Sequence, residues 1–199
     1  LYLNAVRLPW HANFDVPERY GLALNKTHNF NIHMSDNKTL GAWFILRLSE
    51  SIYQSLPLAP PASPCQYIAH ALHTHPTILY FHGNAATRAY YNRIQLYSSL
   101  GGRLCANILA IDYCDFAESS GSPSSAGLVW DARAAWKWLL SQVARSEDIL
   151  IMGYSLGTGV SALLAGELSA SFHPSLLSIG SILDQPTRVQ APFQELCRD

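Results

Sequence analysis

Asp148-Ile149-Leu150-Ile151-Met152-Gly153-Tyr154-Ser155-Leu156-Gly157 is the stretch whose reading decides the fold, with a helical run from Thr158 to Ser169 directly behind it. An apolar run of strand length, a serine between two glycines at G-x-S-x-G spacing, and a helix make the strand–turn–helix context of a nucleophile elbow. Neither glycine has a Cβ to clash, so the backbone can turn sharply and strand and helix can approach closely. Ser155 is thereby expected to stand out at the carboxyl end of a strand. The helix N-terminus behind it favours developing negative charge.

Upstream, the pattern alternates between strand and helix. Thr77 to Phe81 is short and wholly apolar, as in a strand buried on both faces. Ala89 to Leu100 has helical spacing and is expected to stop at Gly101-Gly102. Ala106 to Ile111 reads as the next strand. Ser125 to Val143, with Leu128, Ala132, Ala135, Trp136, Leu139 and Leu140 on one face, reads as an amphipathic helix. Leu176 to Leu183 makes a last strand. Three βα units and a fourth strand imply a parallel sheet with right-handed crossovers and helices on both faces.

The N-terminal part differs. Residues 1–27 are irregular, broken by Pro9 and Pro17. His28 to Met34 alternates polar and apolar, Ser35 to Lys38 is a turn, and Leu40 to Leu48 is its partner, an antiparallel hairpin at about 28–48. Residues 49–76, with five prolines, are expected to be a long loop. Residues 28–199 thus form one α/β domain behind the irregular segment 1–27.

With 199 residues, 49% of them hydrophobic, the chain can bury one sizeable core. A formal net charge of −1 gives no electrostatic footprint for nucleic acid. No run is long and apolar enough to span a membrane, and no signal peptide is visible. No G-x-G-x-x-G follows a strand, and there is no P-loop and no metal-ligand cluster, so no cofactor or metal is expected. The four cysteines have neither C-x-x-C nor zinc spacing. Cys105 and Cys114 bracket a strand and would stand about 30 Å apart, too far for a disulfide, so free buried thiols are expected. Asn25-Lys26-Thr27 and Asn37-Lys38-Thr39 are glycosylation sequons.

Phe81-His82-Gly83-Asn84-Ala85, Asp112-Tyr113, Ser119 to Pro123 and Gly153 to Gly159 make the sequence resemble an α/β-hydrolase. More narrowly, Asn25 to Phe30, Leu40-Gly41-Ala42-Trp43 and the Ser155-Leu156-Gly157-Thr158-Gly159 elbow are similar to the membrane-associated lysophospholipid and monoacylglycerol lipases, over roughly residues 15–170. Cys114-Asp115 stand where that family usually has Arg-Gly. The resemblance implies a serine hydrolase acting on a lipid-like carboxylic ester. It also implies membrane association through a segment outside this chain, at the endoplasmic reticulum. Ser155 would be the nucleophile. The oxyanion hole would use the N–H of Leu156 and that of Asn84 or Ala85, with His82 and Gly83 supporting the loop.

A serine nucleophile needs a general base, and in this superfamily the order is Ser, then Asp or Glu, then His. After Ser155 the one histidine is His173. The helix behind the elbow would leave it about 20 Å away, at the opposite end of the sheet. Asp184, after a strand that returns towards Ser155, is the candidate acid. His11 lies in the irregular segment, His28 and His33 in the hairpin region, and His70, His73 and His75 before the sheet on its far side. His82 alone is at the right end and belongs to the oxyanion loop. The catalytic histidine is therefore expected to be absent, along with the final strands of the sheet. Either the acid, histidine and lid of a hydrolase lie outside this chain, or the chain is a non-catalytic α/β-hydrolase-like module. The coding sequence downstream of Asp199 discriminates between the two.

Overall fold

The computed structural model describes residues 8–56, 65–171 and 179–181. Six strands form one sheet: β1 (Thr27–His33), β2 (Thr39–Ile45), β3 (Thr77–Phe81), β4 (Asn107–Ile111), β5 (Ile149–Gly153) and β6 (Ile179–Ser181), in the order β1-β2-β4-β3-β5-β6. β2 runs antiparallel to β1 and β4, and the remaining neighbours are parallel. The hairpin pairs Thr27 with Ile45 and His33 with Thr39. Its turn closes through Met34 N–H to Lys38 O at 2.8 Å, with Asn37 at φ 62°. Asparagine tolerates that left-handed conformation better than most residues.

Every residue of β3, β4 and β5 is buried, and the strand period of two divides them between two cores. Leu79, Phe81, Leu109, Ile111 and Ile151 face α4 (Ser125–Ser141) and α5 (Leu156–Ser171), packing with Leu128, Ala132, Trp136, Leu139, Val160 and Leu164. Ile78, Tyr80, Ile108, Ala110, Leu150 and Met152 face α3 (Tyr91–Arg103), with Ile94, Tyr97, Phe14 and Trp43. Each such aliphatic side chain contributes about 1.5–3 kcal/mol on burial. α4 starts where Ser124 accepts a hydrogen bond from Gly127 N–H at 2.9 Å. Leu139 is fully buried. Leu140, expected on the same face, is exposed, because one residue further turns the helix by about 100°.

Three further expectations are corrected. Residues 49–76 are not one loop: α1 (Glu50–Ser55) and α2 (Cys65–Thr74) lie within it. The prolines cluster at 57–64 and at 76, and between them Ile68, Ala71 and Leu72 recur at helical spacing and are buried. α3 continues through Gly101-Gly102 to Arg103, where Leu104 N–H donates to Leu100 O at 2.9 Å. Glycine lowers helix propensity by only about 1 kcal/mol, which tertiary packing overrides. Cys105 is disulfide-bonded, contrary to the expected free thiols, whereas Cys114 is free and buried.

Two polar features hold loops around the sheet. Buried Asn107 donates through Nδ2 to Ala71 O at 2.9 Å and His75 O at 3.1 Å. It accepts Arg47 N–H at 2.8 Å, so one amide ties the end of α2 to the start of β4. Residues 8–22 pack against the carboxyl end of the sheet: Thr87 donates from N and Oγ1 to Leu8 O, at 3.0 and 2.9 Å. Trp43 Nε1 donates to Phe14 O at 3.0 Å.

After β4 the chain turns through Asp115 at φ 68°, the left-handed region that glycine adopts most easily. Aspartate tolerates that region, so the Cys-Asp departure leaves the turn formed. We expect Asp115→Gly to change stability by less than about 0.5 kcal/mol, and Asp115→Val to cost about 1–2 kcal/mol because a β-branched residue is strained at positive φ. Chemical denaturation of the two variants measures this.

Candidate active site

β5 ends at Gly153 and α5 begins at Leu156, so Ser155 occupies the junction, exposed and at φ 51°. Such a conformation costs a non-glycine residue about 1–3 kcal/mol and persists only when the surroundings enforce it. Here they do. Tyr154 N–H donates to Phe81 O at 3.0 Å, Gly157 N–H to Tyr154 O at 2.9 Å and Thr158 N–H to Ser155 O at 2.9 Å. The two glycines make the turn sterically possible. A Cβ on Gly153 would lie 2.1 Å from Gly157 O, and one on Gly157 would lie 2.0 Å from Phe81 O. The Leu156 N–H opens the helix, where intrahelical partners are lacking, and it has no hydrogen-bond acceptor among the described residues.

The loop after β3 adjoins this elbow. A Cβ on Gly83 would stand 3.3 Å from Ser155 Cβ and 3.0 Å from the Tyr154 ring. Ala85 and Ala86 both have positive φ, 67° and 60°. Ala85 N–H donates to Asn84 Oδ1 at 3.2 Å. Buried Arg93 donates to Gly83 O at 3.2 Å, Ala85 O at 2.6 Å and Thr87 O at 2.6 Å. The His82 side chain is fully buried. Its Nδ1 donates to Gly83 O at 2.7 Å, and its ring centroid lies 4.4 Å from that of Tyr113 and 5.4 Å from that of Phe116. Tyr113 Oη donates to His82 O at 2.8 Å. Burial first, and the Arg93 cation second, hold the His82 imidazole below its ordinary range against the pull of Asp112.

Asp112, at the carboxyl end of β4, anchors the second layer of the site. Its carboxylate lies 3.2 Å from His82 Nε2, accepts Arg88 N–H at 2.8 Å and pairs with Arg88 Nη1 at 2.6 Å. Arg88 is fully buried. It also donates through Nη2 to Asn29 Oδ1 at 2.7 Å and to Glu118 Oε1, and its guanidinium lies 3.9 Å from the Phe14 ring centroid. Burial raises the Asp112 carboxyl, but the Arg88 charge and the His82 contact outweigh it and leave it lowered.

Ser155 and Gly83 therefore adjoin at the carboxyl ends of β5 and β3, with Leu156 next to Ser155 along the chain and Asn84 and Ala85 next to Gly83. Among the described residues no histidine hydrogen-bonds Ser155. His70 and His73 lie on α2, which leads into the opposite end of β3. His28 and His33 lie on β1, and His11 sits in a groove with Trp10, Thr87 and Glu118. Asp184 and His173 lie outside the described residues. Arg88 and Arg93 escaped the sequence reading, and Asp112 entered it only as part of a motif. Two arginines shortly after an apolar strand were the available signal.

No family model matches the chain. The architecture and elbow define an α/β-hydrolase fold. Among solved structures it matches esterase Pf2001 of Pyrococcus furiosus (18% identical, TM-score 0.57, 84% of this chain and 52% of that one). It also matches the thermophilic carboxylesterase EstE1 from a metagenomic library (16%, TM-score 0.54, 81% and 48%). In sequence it is similar to lysophosphatidylserine lipase ABHD12 of Rattus norvegicus, 34% identical over 170 residues and covering 84% of this chain. The corresponding protein of Danio rerio is 31% identical over 169 residues. The chain spans 40% and 42% of the length of those two relatives.

Gly157→Ala should cost at least about 3 kcal/mol, because the clashing atom is backbone and cannot rotate away. Gly166→Ala, in α5 with nothing within 4 Å, should gain up to about 1 kcal/mol. Thermal unfolding of both variants tests the elbow geometry. Asp112 gives a pH signature. Its folded pKa is lowered, so its contribution is present above the unfolded value of about 3.9 and is lost as pH falls through the folded value. Asp112→Asn should destabilise the protein by about 3–5 kcal/mol at neutral pH, by leaving Arg88 buried without its charge partner. Stability of the variant should fall less steeply below about pH 4, as read by denaturation at several pH values.

Proposed function

We propose that this chain carries the nucleophile and oxyanion half of a serine carboxylic-ester hydrolase acting on lipid-like esters of the lysophospholipid or monoacylglycerol kind. The observation that carries the reading is Ser155, exposed and at φ 51° between β5 and α5, with the Gly83 loop against it. The relatives named as lysophosphatidylserine lipases support the substrate class.

In this mechanism Ser155 Oγ attacks the ester carbonyl. The Leu156 N–H, together with that of Asn84 or Ala85, receives the oxyanion of the tetrahedral intermediate. The intermediate collapses by breaking the bond to the alcohol, which leaves with the proton taken from Ser155. Water then adds to the acyl-serine and releases the acyl group as a carboxylic acid, returning the proton to Ser155. Donors fixed in advance reorganise little as charge develops, and one such donor is worth about 10²–10³ in kcat. The base that removes the Ser155 proton is proposed to come from sequence outside the described residues, with Asp184 the candidate for its acid partner. Association with a membrane, at the endoplasmic reticulum and through a further segment, belongs to the same proposal. No described helix is long and apolar enough to cross one.

The test compares the 199-residue chain with a form extended to the length of the relatives, on lysophospholipid and monoacylglycerol. The short chain should hydrolyse at background, since a serine hydrolase stripped of triad members keeps only about 10³–10⁴-fold catalysis over water. The extended form should turn over, lose that turnover on Ser155→Ala and take a fluorophosphonate at Ser155. An extended form inert to both would favour a non-catalytic α/β-hydrolase-like module, a reading that rests on the lack of a histidine hydrogen-bonded to Ser155 among the described residues. Strong Ser155-dependent turnover by the short chain would place the base within it.

A further inference from the structure

Arg93, in the first turn of α3, is buried and forms no ion pair among the described residues. Its charge is met instead by three carbonyls from one short loop, those of Gly83, Ala85 and Thr87. A trans peptide sets the C=O of one residue antiparallel to the N–H of the next, and the peptides of this loop are trans. Carbonyls 83, 85 and 87 drawn to Arg93 therefore direct the N–H groups of Asn84, Ala86 and Arg88 the other way. The last of these shows the effect: in one peptide, Thr87 O accepts from Arg93 Nη1 at 2.6 Å while the Arg88 N–H donates to Asp112 Oδ1 at 2.8 Å. The intervening Ala85 N–H is turned to the Asn84 side chain at 3.2 Å. The 83–84 peptide is pinned twice, by Arg93 and by His82 Nδ1 at 2.7 Å, and Gly83 is the loop residue lying against Ser155.

We infer that Arg93 is a positioning residue. It gathers the carbonyls of the 83–87 loop on the side away from the reaction and thereby selects the Asn84 N–H, rather than that of Ala85, as the second oxyanion donor. The inference rests on the reading of Ser155 as nucleophile. The guanidinium does a further job at the same place. A buried cation without a carboxylate partner raises the positive potential beneath the loop that would receive the oxyanion. Lysine cannot substitute, because a single ammonium on a flexible stem does not bridge three carbonyls as a planar fork of five donors does.

The experiment uses Arg93→Met, Arg93→Lys and Ser155→Ala in the protein as its gene encodes it. Two quantities are read: backbone hydrogen exchange by segment, and the rate at which Ser155 takes a fluorophosphonate. In Arg93→Met, exchange over residues 82–88 should quicken about tenfold or more while β3, β4 and β5 keep native protection. Phosphonylation should slow by about 10²-fold. Added methylguanidinium should restore part of both, and Arg93→Lys should resemble Arg93→Met. Should Arg93→Met not fold, Arg93→Lys is read by the same criteria. Native protection of the 82–88 amides, or phosphonylation at the native rate, overturns the role of Arg93 and leaves the nucleophile reading intact. So does an equal rise in exchange throughout the sheet, which makes Arg93 a general stability residue. If the loop follows Arg93 as stated but the native protein takes no more label than Ser155→Ala, the nucleophile reading falls and the ordering of the loop by Arg93 stands.

Discussion

The pairing of Arg88 with Asp112 is the interaction on which the rest of this structure depends. Neither side chain reaches solvent, and their oxygen and nitrogen approach to 2.6 Å. A buried pair of this kind need not add net stability, but losing one partner is costly because the other charge is stranded. Its position explains its importance. Asp112 closes β4, Arg88 belongs to the loop after β3, Asn29 lies on β1, Glu118 follows the β4 turn, and Phe14 comes from the N-terminal segment. One guanidinium thus joins four stretches of chain that are far apart in sequence, Asp112 and Glu118 belonging to the same one. A Cβ on Gly41 would lie 2.6 Å from Arg88 Nη1, so β2 must also leave room for it. The loop beside Ser155 starts from that fixed point at one end and from His82, itself against Asp112, at the other.

How much of this was legible in the sequence follows from the range of the forces involved. The elbow could be read because its requirements are local: an apolar strand, two positions without a Cβ, and a helix, all within about twenty residues. The hairpin was legible for the same reason, from the alternation along Phe30, Ile32 and Met34. α2 was not, because the prolines around it outweighed three buried residues at helical spacing, Ile68, Ala71 and Leu72. The helix stop at Gly101-Gly102 failed for the converse reason, since packing of α3 against β4 overrides a local propensity. The disulfide at Cys105 could not be read from spacing within one strand.

The backbone around the candidate site was legible and its support was not. The turn at Ser155 and the Gly83 loop beside it could be read because backbone geometry is written in glycines. Arg88 and Arg93 were not, since a buried cation is recognised by what surrounds it, and those neighbours come from other strands and loops. Cys114-Asp115 shows the opposite case: a departure in sequence that the backbone absorbs, because aspartate accepts the same positive φ as glycine. Burial raises the Cys114 thiol to about 12, and its Sγ lies 3.1 Å from Asp131 Oδ1, which makes it a packing group and not a reactive one.

Ser155 stands exposed, with Tyr154 half-exposed beside it. On the proposed reading, the described residues leave the point of reaction open to solvent. Strain, the helix start and the clamped loop fix where chemistry would occur, yet little around the hydroxyl measures the length of an acyl chain or the charge of a head group. On that reading reactivity and discrimination are physically separable: the first would be held by a few close backbone contacts that tolerate no added methyl, the second by whatever covers the face. Selection could reshape that cover widely, and change the preferred ester, without disturbing a single contact of the elbow.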